Sequence, residues 1–369
     1  EFRTLTRLFL SLSQARKHIA VPLMVATVNA AVLTCDSHIV ILLCTCDRDN
    51  LGTCGTMYEI LLLVRLTKLN MYLFTGSVIA RLSGAIFYGN ALFSQILTWN
   101  FITSWQDLSY HWARSERAFP LLQDDTIRKK MIITTILTVV EHVLSMMAAT
   151  GFDCPPEEYF ERYILSSHGF LLNSYEYRLY LGVPIFLLSK FATIMWNFQD
   201  LIIILVSMGL TSKYRRLNWR TLEGISSLSS LESLFSKMLQ TWRRLRQAYV
   251  QQAALVRRVG DKLSALILLS NLNNLYFICL QLFLGIKIYY MLSLSWLISR
   301  ACGVVLAAAD IQIHSQSVLP LLQTTCHGCN VEVDRLKTQL KFDWVALQGM
   351  GLFSLDRTLL LKVSFNLYR

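Results

Sequence analysis

Charge is what this chain has least of. Lys, Arg, Asp and Glu make up 16% of its 369 residues, where soluble globular proteins carry roughly a quarter. A soluble domain of this size needs a polar skin over its core, and there is too little polar material here to make one. Proline is scarce at 6 and glycine modest at 16, which excludes collagen-like and low-complexity disordered chains. No Asn-x-Ser/Thr acceptor occurs. The nine cysteines form no dense framework, and Cys326-His327-Gly328-Cys329 has no second CxxC or His pair to complete a zinc set. No metal or cofactor is expected. What fills the space left by charge is apolar: 54% of residues are hydrophobic. The expected class is therefore all-α, a polytopic membrane helix bundle.

A bilayer core takes about 20 apolar residues per helix. Runs of that length occur at Ile19 to Cys46, Val78 to Phe101, Met131 to Ala149, Leu181 to Leu210, Leu263 to Ile286 and Tyr289 to Ala309. A seventh begins near Gly351 and is interrupted by Lys362, Asn366 and Arg369. The chain starts at Glu1 without Met, so an upstream piece is expected to be missing, and the seventh helix is expected to be incomplete as written.

The net charge of +11 would suggest nucleic acid in a soluble protein. Here its placement matters more, because Lys and Arg gather on the cytoplasmic side. Lys213, Arg215, Arg216, Arg220, Arg243, Arg244, Arg246, Arg257, Arg258 and Lys262 lie between the fourth and fifth runs, and Arg128-Lys129-Lys130 closes the connection before the third. The connection after the third is acidic, with Asp153, Glu157, Glu158, Glu161 and Glu176. The N-terminus is then inside, the reverse of a G-protein-coupled receptor. The basic excess belongs to the inner face, with lipid as its neighbour and no nucleic acid as partner.

The expected organisation is residues 1–210 as the first four membrane helices, 211–262 and 310–350 as cytoplasmic anchor segments, 263–309 as the fifth and sixth membrane helices, and 351–369 as the start of the seventh. Between Ser227 and Lys262, Leu228, Leu231, Leu234, Phe235, Met238, Leu239, Trp242, Leu245 and Tyr249 recur at three- and four-residue steps. Such spacing makes an amphipathic helix, which is expected to run on into the fifth span. It would pack on other inner helices or, alternatively, bind calmodulin or a membrane surface.

Ionisable and amide groups within hydrocarbon are expensive and need a partner, water or a function. Glu141-His142 falls midway along the third run. Lys190, Trp196, Asn197 and Asp200 lie in the fourth, Asn274, Tyr276 and Gln281 in the fifth, and Trp296 and Arg300 in the sixth. Amides, carboxylates and guanidinium groups offer paired donors and acceptors to neighbouring hydroxyls, and a Trp or Tyr face packs on the C–H side of a ring. These residues are the candidate ligand contacts for a polyhydroxylated molecule in an outward-facing cavity. The alternative is that they bond one another and hold the helices together. Glu141, His142 and Asp200 would also serve a membrane-embedded enzyme as acid, base and orienter. No nucleophile motif accompanies them, and no internal repeat favours a transporter.

Arg246-Gln247-Ala248-Tyr249, then Leu268 to Phe283 with its Asn273-Asn274-Leu275-Tyr276-Phe277-Ile278-Cys279 core, resemble the sugar-taste branch of insect gustatory receptors, sweet and trehalose receptors among them. Trp196 to Ile203, Glu141-His142, Trp105 to Glu116 and Val345 to Arg357 fit the same family, and the match covers most of Phe87 to Leu361. The resemblance implies a seven-helix subunit of a ligand-gated cation channel with its N-terminus inside. It also implies a homo- or hetero-tetramer around one pore, an outward-opening sugar pocket, and a place in the plasma membrane of a sensory dendrite. The family's last helix ends in a Thr-Tyr, five-apolar, Gln-Phe signature. Val363 to Arg369 stands where that should begin, so no pore residue is carried over.

Overall fold

The computed structural model describes residues 76–118, 154–155, 157–168, 177–228, 235–284, 288–325 and 331–359, together with helical positions 132, 136, 139, 140, 143, 146, 147 and 150. The first apolar run, the early cysteines, Glu141-His142, the Cys326–Cys329 motif and residues 360–369 lie outside the described residues.

The described chain is helical almost throughout: α1 Gly76–Ala118, α2 Tyr159–His168, α3 Leu179–Leu228, α4 Phe235–Leu284, α5 Ile288–Gln316, α6 Leu319–Thr325 and α7 Val331–Phe342. A small antiparallel hairpin follows, β1 Gln348–Gly349 and β2 Phe353–Ser354, in the register Gln348↔Ser354 and Gly349↔Phe353. Among the described residues, three stretches are long and apolar enough to cross a membrane: Leu179–Ser226, Leu239–Leu282 and Ser293–Thr324. Leu181, Val183, Leu187 and Ile194 of α3 are exposed, as lipid-facing side chains must be. Ile132, Ile136, Val139, Val140 and Val143 are exposed as well.

The chain divides into two compact units. Among the described residues, one unit holds those within 96–140 and 197–359 and the other those within 76–95 and 143–196. Each of α1 and α3 contributes to both.

The helices α3 and α4 have 50 residues each, about 75 Å at 1.5 Å per residue. That is more than twice a hydrocarbon core of about 30 Å, so both helices run well beyond it. The reading that ended the fourth helix at Leu210 is corrected, because α3 continues past it, whereas α4 runs through Leu263 as the helix expected to continue into the fifth span. The physical reason is a buried stripe that carries the helices onward. Trp242, Leu245, Tyr249, Ala253, Val256, Val259 and Leu263 recur every three or four residues on α4 and pack in one core with Tyr214 and Leu217 of α3. Leu239, expected in that stripe, is exposed.

Polar bonds stitch the same region. Tyr249 donates to Asn218 Oδ1 at 2.6 Å, and Asn218 Nδ2 donates to the His314 carbonyl at 2.8 Å and to Ser317 Oγ at 2.7 Å. Lys213, placed in the sequence as a charge of the cytoplasmic anchor segment, is buried, and its Nζ donates to the Trp112 carbonyl at 3.0 Å. Arg246 Nε meets Glu332 Oε2 of α7 at 2.8 Å.

The start of a seventh helix near Gly351 is corrected too. Met350 and Gly351 have φ of 50° and 73°, left-handed values that make the hairpin turn and exclude helix there. Helical geometry begins at Arg357. Gly349 is needed for contact: a Cβ there would lie 2.5 Å from Phe353 Cζ.

Candidate functional site

In the larger unit the membrane helices bring four of the expected residues together. Asp200 of α3 and Arg300 of α5 form an ion pair, Nε to Oδ2 2.9 Å, with side chains 1% and 6% exposed. Asn274 of α4 donates to Asp200 Oδ2 at 3.2 Å and accepts from Arg300 Nη2 at 2.9 Å. Arg300 Nη1 donates to Asn197 Oδ1, and Ser270 Oγ donates to Asp200 Oδ1. Three helices thus meet in one charge-paired, hydrogen-bonded knot. Helical spacing explains its assembly: Ser270 and Asn274 are four apart on α4, so they share a face, and Asn197 and Asp200 are three apart on α3. Ser270 was not among the expected residues. Its four-residue offset from Asn274 was the available signal.

Chemically this knot is closed. Both oxygens of Asp200 are engaged, which leaves it no role as a general base. The pair is braced by hydrogen bonds from Ser270 and Asn274 to Asp200 and from Arg300 to Asn197 and Asn274. Arg300 Nε meets Oδ2 at ion-pair distance without hydrogen-bond geometry, and losing one partner strands a charge.

The C-terminal end of α4 and the N-terminal part of α5 are less committed. Gln281 Nε2 donates to Ser293 Oγ at 3.1 Å. Among the described residues, buried Gln281 Oε1 and Trp296 Nε1 have no partner. Trp296 lies three residues beyond Ser293 on α5, so an acceptor and a donor stand close to one polar bridge. Tyr276 is half-buried, its ring edge-on to Phe277 at 5.1 Å.

Lys190 and Trp196 belong to the other unit. Lys190 Nζ donates to Tyr163 Oη at 2.8 Å and sits 4.4 Å from the Tyr163 ring centre and 4.7 Å from that of Phe186. Such cation–π contact is favourable where water is scarce. His168 lies beside Tyr88 and Tyr163, with ring centres 6.3 Å and 5.9 Å away. Burial, with the Lys190 charge adding to it, pulls the His168 pKa down to about 4. Trp196 stands edge-on to Phe87 at 6.2 Å. Tyr163 and His168 escaped the sequence reading because they lie in a polar connection rather than an apolar run. Among the described residues no group of His, Cys, Asp or Glu could hold a metal ion.

Known proteins agree with this picture. A family model described as trehalose receptor matches residues 53–367. The gustatory receptor for sugar taste 64f of Drosophila melanogaster is 30% identical over 307 residues, 76% of this chain and 62% of that protein. Gustatory receptor 5a for trehalose, from the same fly, is 30% identical over 291 residues, 73% of this chain and 64% of that protein. The chain therefore spans somewhat under two thirds of these relatives' length. Its fold is similar to the solved structure of the insect olfactory receptor OR5 from Machilis hrabei, with a TM-score of 0.52 and 10% identity over 96% of each chain. These are receptors by name, not enzymes. The apolar helices, the polar knot they bury and the family match over 53–367 lead to one conclusion: this multi-pass membrane protein belongs to the trehalose receptor family of insect gustatory receptors.

Proposed function

We propose that the protein is a sugar-taste receptor and one subunit of a ligand-gated cation channel. The family match over residues 53–367 carries this reading. The ligand class follows from the names of its relatives, one a receptor for sugar taste and one for trehalose.

The uncommitted atoms at the C-terminal end of α4 and the N-terminal part of α5 support a place for the ligand. A sugar hydroxyl can donate to Gln281 Oε1 and accept from Trp296 Nε1–H, both buried and unpartnered among the described residues. Tyr276 would add an apolar ring face. Within the smaller unit Lys190 and Trp196 are proposed separately as contacts for a hydroxylated ligand, and Glu141 and His142, likewise proposed, lie outside the described residues. Asp200, Asn197, Asn274 and Arg300 are spent on one another, and their proposed part is to hold α3, α4 and α5 in register beneath the ligand.

A sugar opens the pore only by binding the open state more tightly than the closed one. The channel would be a homo- or hetero-tetramer in the plasma membrane of a sensory dendrite. The test is trehalose-evoked current from the full-length protein in a heterologous cell. Gln281→Ala and Trp296→Phe are each expected to raise the half-maximal concentration roughly ten-fold, as loss of a hydrogen bond to a buried partner does. Unchanged dose-response curves at normal surface expression would remove both residues from the site.

A further inference from the structure

Gln199 is a buried polar side chain of the larger unit that nothing so far explains. It is 1% exposed, and among the described residues neither Nε2 nor Oε1 has a hydrogen-bond partner. An amide offers two donors and an acceptor with two lone pairs, and burying it unpaired is unfavourable in any apolar medium. In a membrane span no bulk water relieves that cost.

Thr98 of α1 is 3% exposed and its Oγ1 is likewise unpartnered. The two residues share a level. Ser94 Oγ donates to the Met195 carbonyl at 3.4 Å, an offset of 101 positions. Trp112 and Lys213 bond at the same offset. Helices α1 and α3 are therefore parallel and in constant register. One turn on from Ser94 is Thr98, and one turn on from Met195 is Gln199, on the faces that meet. Farther along, a Cβ on Gly209 would touch the Trp112 ring at 2.9 Å, so the helices stay close on either side.

We infer that Gln199 and Thr98 form a buried hydroxyl-binding subsite between α1 and α3. Its guest is a single O–H group that accepts from Gln199 Nε2–H and donates to Gln199 Oε1 or Thr98 Oγ1. That chemistry belongs equally to an ordered water and to a hydroxyl of a sugar. The second source rests on the sugar-receptor reading and the first does not.

The experiment measures thermal melting of the purified full-length protein in lipid nanodiscs, with and without saturating trehalose, for wild type, Gln199→Met, Thr98→Val and the double variant. Both single substitutions keep volume and delete only the polar atoms. If a guest binds there, each variant melts lower than wild type and the double variant melts no lower than the worse single, because one guest is lost once. If the polar atoms are merely stranded, deleting them relieves the burial cost. Either single variant melting at or above wild type both without and with trehalose overturns the inference, and so do additive losses. A trehalose-induced rise in wild type that Gln199→Met abolishes identifies the guest as a sugar hydroxyl. An equal rise in both identifies it as water. No trehalose effect on wild type counts against the sugar-receptor reading, while the comparison without sugar still decides the subsite.

Discussion

Removing Arg300 should damage the protein more than removing Arg300 and Asp200 together. Arg300→Met deletes the guanidinium that pairs with Asp200 at 2.9 Å and that also donates to Asn197 and Asn274. Asp200, 1% exposed, keeps only Ser270 and Asn274 as donors. Breaking a buried pair from one side costs about 3–5 kcal/mol, because a charge is left without compensation. By the scaling of globular proteins, such a loss lowers the melting midpoint of a 369-residue chain by about 4–6 °C. The double variant Asp200→Leu/Arg300→Met has no stranded charge. Its remaining deficit is the lost hydrogen bonding of Ser270, Asn274 and Asn197, about 1–3 kcal/mol. The assay heats the detergent-solubilised full-length protein and reads the surviving monodisperse fraction by fluorescence-detected gel filtration. The expected order of stability is wild type, then the double variant, then Arg300→Met. If the double variant loses the sum of the two single losses, Asp200 and Arg300 are not coupled, and the knot does not hold the helices.

Two further outcomes follow from the packing. Gly209→Ala sets a Cβ 2.9 Å and 3.0 Å from Trp112 Cζ2 and Cη2, and that ring is pinned by its Nε1 bond to Glu116 at 3.2 Å and by Lys213 above it at 4.5 Å. The same heat challenge should show a loss of about 1–3 kcal/mol, partly recovered in Gly209→Ala/Trp112→Phe; no loss would mean that α1 and α3 are not in close contact there. His168 titrates near 4 when folded against an ordinary 6.5, so between those values the unfolded connection binds more protons than the folded one. Local stability around α2 is therefore complete above about pH 6.5 and falls by about 3 kcal/mol as pH drops towards 4. Hydrogen exchange of α2 should accelerate over that window in wild type and not in His168→Phe, and identical profiles for the two would refute the assignment.

The helical membrane architecture was legible because it depends on composition and period, which are local. Orientation rested on where Lys and Arg accumulate. Lys213 shows how that signal can mislead about helix ends. Its charge reads as the edge of a span, yet the ammonium is absorbed by the Trp112 carbonyl and α3 continues to Leu228. Gly351 misled in the opposite direction. An apolar run follows it, but a left-handed turn delays the helix to Arg357, and that turn serves a hairpin whose Leu347 is fully buried on the long helix α4.

The candidate site divides along the same line. That Asp200, Asn274 and Arg300 are expensive in hydrocarbon follows from each residue alone. That they spend their capacity on one another, across 74 positions between Asp200 and Asn274, depends on which helices meet. Only that accounting separates a polar group that holds the bundle from one that is still open. By it Asp200, the residue most like a catalytic carboxylate, is closed. Gln281, Trp296, Thr98 and Gln199 keep unpartnered polar atoms among the described residues. A neutral amide or indole costs less to bury than a charge and reorganises less when a guest hydroxyl arrives, so a receptor for an uncharged ligand should keep its ion pairs for structure and its amides for recognition.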